Sequence, residues 1–75
     1  MKADQILDKQ MRTIAGRVSA ILEKKEWTQR DLADKSGMKD SAISRILHAE
    51  TNLTLRTIVI LELALGEKLI ELVTD

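Results

Sequence analysis

Apolar residues recur along the first third of the chain at Leu7, Met11, Ile14, Val18, Ile21 and Leu22. Steps of three and four residues place all of them on one stripe of an α-helix. The spacing predicts a helix over roughly residues 4–25, with Asp4 as its N-cap and Lys24 and Lys25 at the negative end of its dipole. Gly16 falls inside this stretch at a cost of about 0.5–1 kcal/mol relative to Ala, which the close approach of another helix would explain. A second helix is announced by Thr28-Gln29-Arg30-Asp31, where a Thr followed three residues later by an acid can form a capping box. Leu32 and Ala33 are its inward residues. Ser36-Gly37 ends it near residue 35, and Gly37 is expected in the left-handed backbone region that reverses the chain.

A third, short helix is predicted over residues 40–48, with Ile43, Ile46 and Leu47 facing inward. Residues 49–53 have no periodicity and read as a loop. Thr54 then caps a strongly apolar helix from Leu55 through Leu65, and Gly66 separates it from a last amphipathic turn or two between Glu67 and Val73. The expected fold is therefore all-α: a compact five-helix domain spanning residues 1–75, without repeats, linkers or low-complexity tracts.

Composition narrows the function classes. The chain has 75 residues, 44% hydrophobic and 32% charged, which suits one small globular domain. It contains no proline, and its sole aromatic residue is Trp27. β-Branched residues do not alternate with polar ones, so a sheet is not expected. The absence of cysteine excludes disulfides and thiolate metal sites, and a single histidine excludes a His cluster. No metal and no cofactor are expected. Nor is any catalytic residue, because Ser19, Ser36, Ser41 and Ser44 lack a base partner and no Gly-rich phosphate loop occurs. Twelve basic and twelve acidic residues give a net charge of zero, hence no global attraction to nucleic acid or anionic lipid. No apolar run approaches the ~20 residues of a membrane span, and the polar opening Met1-Lys2-Ala3-Asp4 does not read as a secretory signal. A cytoplasmic location is expected.

Two short helices joined by a Gly-containing turn make a helix-turn-helix, whose second helix can enter the major groove of DNA. Here Gln29, Leu32-Ala33, Gly37-Met38, Ile43-Ser44 and Ile46 follow the order Gln-x-x-Leu-Ala-x-x-x-Gly-Φ-x-x-x-x-Ile-Ser-x-Ile, where Φ is apolar. Ala33 is small enough for the two helices to cross closely. Gly37 makes the turn, and Met38, Ile43 and Ile46 fix the second helix to the core. This pattern resembles the Xre family of helix-turn-helix regulators, typified by the lambda and 434 repressors and Cro. Trp27-Thr28-Gln29 is similar to the family's Leu-Thr-Gln opening. Asn52-Leu53-Thr54-Leu55 and Leu61 through Leu65-Gly66 are similar to its Asn-Pro-Ser-Leu…Ile-Ala-x-Ala-Leu-Gly stretch. The resemblance covers roughly residues 11–73 and implies a five-helix, lambda-repressor-like domain, here with an N-terminally extended first helix.

The resemblance also implies DNA contacts. Gln29 matches a residue at the start of the motif's first helix that touches a backbone phosphate. Lys39, Asp40, Ser41 and Arg45 match outward positions of the recognition helix. Arg45 is placed to make a bidentate bond to guanine, and Asp40 to accept from cytosine N4. Ser44, His48, Asn52 and Thr54 match phosphate-side positions. Set against this, Asp40 is equally suited as an acid at a helix start, His48 as a solvated helix-end residue, and Trp27 as a core residue.

Three positions depart from the family pattern. Leu22 and Leu47 stand where the family often has a partly buried Arg–Glu pair, so a direct apolar contact is expected between them. The loop that usually reads Asn-Gly-Lys/Arg is His48-Ala49-Glu50, and residues 28–50 hold four basic side chains (Arg30, Lys35, Lys39, Arg45) against four acidic ones (Asp31, Asp34, Asp40, Glu50). Weak non-specific affinity and a shallow salt dependence follow, with Lys2, Lys9 or Arg12 of the first helix as further backbone contacts. Finally, Ile60, Leu63 and Ile70 occupy positions that are usually polar. With Leu69, Leu72 and Val73 they form the expected interface of a symmetric homodimer; the bland alternative is that the N-terminal extension covers them through Ile6 and Leu7. The function implied is sequence-specific double-stranded DNA binding by a small transcriptional regulator, a dimeric repressor acting by occupancy. An antitoxin that represses its own operon while binding a toxin, and a protein-interaction module without DNA affinity, stay open as alternatives.

Overall fold

The computed structural model describes residues 2–70, in which there are four α-helices and no strand: α1 (Ala3–Lys25), α2 (Gln29–Ser36), α3 (Asp40–Leu47) and α4 (Leu55–Leu65). α1 starts one residue earlier than its pattern suggests. Its N-cap is Lys2, and the Gln5 side chain reaches back to accept the Lys2 backbone N–H at 3.4 Å. Asp4, expected as the cap, lies inside the first turn, where its carboxylate still favours the positive helix end. α1 ends in a left-handed Glu26 (φ 57°, ψ 36°), after which the Trp27 N–H donates to the Leu22 carbonyl at 2.9 Å. This is a Schellman turn made without glycine.

α2 and α4 begin as their sequences suggest. Thr28 Oγ1 accepts the Asp31 N–H at 3.1 Å, while Asp31 Oδ2 accepts the Thr28 N–H at 2.7 Å, completing the capping box. Thr54 Oγ1 accepts the Thr57 N–H at 3.2 Å. Gly37 (φ 75°) and Gly66 (φ 72°) supply the left-handed residues that stop α2 and α4. Gly16, by contrast, is exposed, and a Cβ built there would meet nothing within 4 Å. Among the described residues no other helix approaches it, and nothing there explains the glycine.

The core joins all four helices. Val18 of α1, Ile43 of α3 and Leu61 of α4 are completely enclosed, with Leu32, Ile46 and Leu65 around them. α2 packs against α3 and α4, and α1 against α3. Leu22 is buried, Leu47 is half-buried, and both belong to this cluster. Trp27 sits at its rim, half-buried, with the Lys25 and Lys35 ammonium groups 5.2 and 5.7 Å from its ring centre.

Residues 67–70 form no helix, and residues 71–73 of the expected fifth helix lie outside the described residues, so four helices stand where five were expected. After α4 the chain is tied back to it by Glu62, whose Oε2 accepts the N–H groups of Leu69 at 2.7 Å and Ile70 at 3.3 Å. Arg17 Nη2 holds the same segment by donating to the Lys68 carbonyl at 3.2 Å. Leu69, expected at a subunit contact, is 1% exposed and completes the core. Leu72 and Val73 lie outside the described residues.

Candidate nucleic-acid interface

Burying Ile43 and Ile46 turns the opposite face of α3 to solvent. Lys39, Ser41, Arg45 and His48 are exposed along it, and Asp40 and Ser44 are half-buried at its edges. The outward positions expected for a recognition helix are thus brought onto one surface and are not covered by the rest of the described chain. Asn52 and Thr54 are exposed on the loop that follows.

Several of these side chains already have partners within the protein. Gln29, half-buried at the first position of α2, donates from Nε2 to the Asp40 carbonyl at 3.0 Å. It clamps the start of α2 to the start of α3, so it fixes the angle at which the recognition helix is presented. Thr54 is engaged in capping α4, and its hydroxyl also lies 3.0 Å from that of Thr57. At the other end of α3, His48 Nδ1 lies 2.7 Å from the Ser44 carbonyl. A carbonyl can only accept, so Nδ1 carries the proton and adds a second bond to a carbonyl that already accepts the His48 backbone N–H at 3.1 Å. Lys39 occupies the N-cap of α3 without making a side-chain capping bond.

Charge on this surface is balanced by contact as well as by count. Arg30, not singled out by sequence, places Nη1 3.6 Å from Asp40 Oδ2 across the turn of the motif. Asp40 is therefore both an acid in the first turn of α3 and the partner of a guanidinium. Arg45 forms no ion pair among the described residues. It lies instead on the wall of a cleft of about 550 Å³, facing Asp4, Leu7, Asp8 and Met11 of α1 and residues 49–52 of the loop after α3. The N-terminal part of α1 lies across this cleft from α3 and brings Asp4 and Asp8, together with Glu50, to the edge of the surface. Asp8 is itself paired with Arg12 at 3.0 Å. The extension does not cover α4, since Ile6 and Leu7 remain 45% and 42% exposed and Leu7 lines the cleft.

The residues expected at a dimer surface differ in exposure. Leu63 is 80% exposed, but Ile60 and Ile70 are half-buried. Leu55 and Val59 are the other large apolar residues exposed on α4. With Leu63 they form a single row at four-residue spacing, and Ile60, three residues from Leu63, is half-buried beside it. Val73 lies outside the described residues.

No group of His, Cys, Asp or Glu among the described residues is arranged to hold a metal ion, and no helix there is long and apolar enough to cross a membrane. In comparison with known proteins, a family model described as helix-turn-helix matches residues 18–72, which leaves the first part of α1 outside the match. No curated protein and no solved structure matches the chain.

Proposed function

Because the chain belongs to the Xre-type helix-turn-helix family of DNA-binding regulators, we propose that it binds double-stranded DNA sequence-specifically as a dimeric repressor, reading the major groove with α3. The observation that carries this reading is the division of α3 into a buried side, Ile43 and Ile46, and a solvent side bearing Lys39, Asp40, Ser41 and Arg45. In the proposed complex Arg45 makes the main base contact, to a guanine. Lys39 and the free N–H groups at the starts of α2 and α3 hold the backbone. Gln29 acts first as the clamp that sets the presentation of α3, and its second amide hydrogen is available to a phosphate. Ser41, Ser44, His48, Asn52 and Thr54 border the groove-facing surface.

A single module of this size covers only ~600–1,000 Å² of DNA, so two copies are the route to tight binding. The Leu55–Val59–Leu63 row is the apolar surface available for a second copy, and a two-fold pair would present its recognition helices about 34 Å apart.

Selection of binding sites from random duplexes by the purified protein, followed by gel shifts on the selected site, tests this reading. The expected outcome is a near-palindromic site, with Arg45→Ala weakening binding to it by about 1–3 kcal/mol. Enrichment of no duplex, or unchanged binding by Arg45→Ala, would refute DNA reading by α3. A site without two-fold symmetry would refute the dimer.

A further inference from the structure

The Arg30–Asp40 pair lies where DNA would dock, and each partner has a better use there. The two residues occupy the first turns of α2 and α3, which the Gln29 clamp holds side by side. Their contact is loose, at 3.6 Å, and most of the Arg30 side chain (77%) and nearly half of that of Asp40 (45%) face solvent. An exposed pair of this kind holds its partners weakly. A phosphate suits a guanidinium better, because two oxygens can meet its fork together. Apart from Arg30, Asp40 has its place in the first turn of α3, where an acidic side chain suits the helix dipole. Once released, its carboxylate can only accept hydrogen bonds, and cytosine N4 is the donor on a base edge that it fits.

We propose that Arg30 is a phosphate-binding residue held in reserve by Asp40. On docking, a backbone phosphate takes over the guanidinium, and the carboxylate it leaves becomes a reader of cytosine. The inference rests on the DNA-binding reading above and assigns a role within it to a residue that the recognition-helix pattern passes over. It also couples the two kinds of contact. The phosphate contact is gained at the expense of an internal pair, and that loss is recovered only where a base donor meets Asp40. Non-specific sequence is thereby penalised.

The test uses the whole chain, with fluorescence-anisotropy titrations of a non-specific duplex across a salt series and of the selected site with its single-base variants. Arg30→Gln is expected to reduce the slope of log affinity against log salt by about 0.9, the share of one phosphate. Asp40→Asn preserves the shape of the side chain and leaves the Gln29 clamp intact, because that bond is to the Asp40 backbone. It is expected to tighten non-specific binding several-fold and to flatten the preference at one C·G pair by about tenfold or more. A slope for Arg30→Gln equal to that of the natural protein overturns the proposal, since the guanidinium then stays with Asp40. Base preferences left intact by Asp40→Asn overturn it as well. Natural protein that binds no duplex refutes the regulator reading itself, whereas natural binding with an unmoved slope refutes the exchange alone. Thermal melts of both variants establish that they are folded.

Discussion

The left-handed Glu26 at the end of α1 gives the sharpest quantitative expectation. Its φ of 57° is required by the turn, in which the Glu26 N–H donates to the Glu23 carbonyl at 3.1 Å and the Trp27 N–H to the Leu22 carbonyl at 2.9 Å. A residue with a Cβ is disfavoured there by about 1–2 kcal/mol. Glycine relieves that strain but loses about 0.5–1 kcal/mol through the greater freedom of its unfolded chain. The carboxylate also sits at the negative end of a 23-residue helix, an unfavourable placement worth about 0.3–1 kcal/mol. The side chain is exposed and forms no ion pair among the described residues, so its removal costs little packing. Glu26→Gly should therefore stabilise the domain by about 0.5–1.5 kcal/mol. At about 4–8 °C per kcal/mol for a domain of this size, Tm should rise by several degrees. Glu26→Ala separates the two contributions, because it removes the charge and keeps the strain. Urea and thermal unfolding followed by the single tryptophan, Trp27, measure both variants. If Glu26→Gly proves no more stable than Glu26→Ala, the strain at this turn does not exceed the ~0.5–1 kcal/mol that the freedom of glycine costs, and the ~1–2 kcal/mol assigned to it is refuted.

Two further expectations concern stability. Gly16→Ala should stabilise α1 by about 0.5–1 kcal/mol, since a Cβ there has open space and the helix interior favours Ala; a destabilised variant would reveal a close approach at Gly16. Glu62 should contribute to the acid sensitivity of the fold. The N–H groups of Leu69 and then Ile70 hold its carboxyl below the ordinary value of 4.5. A carboxyl lowered in the folded state stabilises the protein above its unfolded pKa, and that stability is lost as pH falls through the lowered folded value. Glu62→Gln should then lose less Tm than the natural protein between about pH 5 and pH 3. Identical pH profiles would place no folded-state stabilisation in this carboxylate.

The elements that sequence reveals here are those fixed by near neighbours. The Thr28–Asp31 box, the Thr54 cap and the turns at Gly37 and Gly66 depend on residues within a few positions of one another. The buried stripe of α1 was readable for the same reason, since periodicity alone selects Met11, Ile14, Val18 and Leu22. What escaped depends on contacts between distant parts of the chain. Glu62 is the sole acid in an otherwise apolar stretch of α4, a visible anomaly. Only the fold shows that it takes the backbone donors of residues 69 and 70 and so ties the chain after Gly66 back to α4. Ile60 and Leu63 were both expected to be exposed; Leu63 is, whereas Ile60 is half-buried, a difference that spacing within α4 cannot give. Ala49 offers a partial signal. It takes the left-handed conformation (φ 55°), which favours glycine, at the position where the resembling family has Gly.

Of the candidate interface, the positions on α3 were legible and their partners were not. Arg30 and Asp40 are ten residues apart on different helices, and no local pattern joins them. Their pairing changes the meaning of the neutral charge balance over residues 28–50. Non-specific DNA binding is almost wholly electrostatic, whereas useful recognition is the ratio of specific to non-specific affinity. A surface whose arginines have carboxylates close at hand, Asp40 beside Arg30 and Asp4, Asp8 and Glu50 around the cleft that Arg45 lines, weakens the first of these affinities more than the second. On the proposed reading, Arg45 would gain a guanine and Asp40 a cytosine donor at a matched site, while at an unmatched site the same carboxylates would only repel phosphate. Zero net charge would then be compatible with reading DNA, and would shift the burden of affinity from the backbone to the base edges and to the proposed pairing of two subunits.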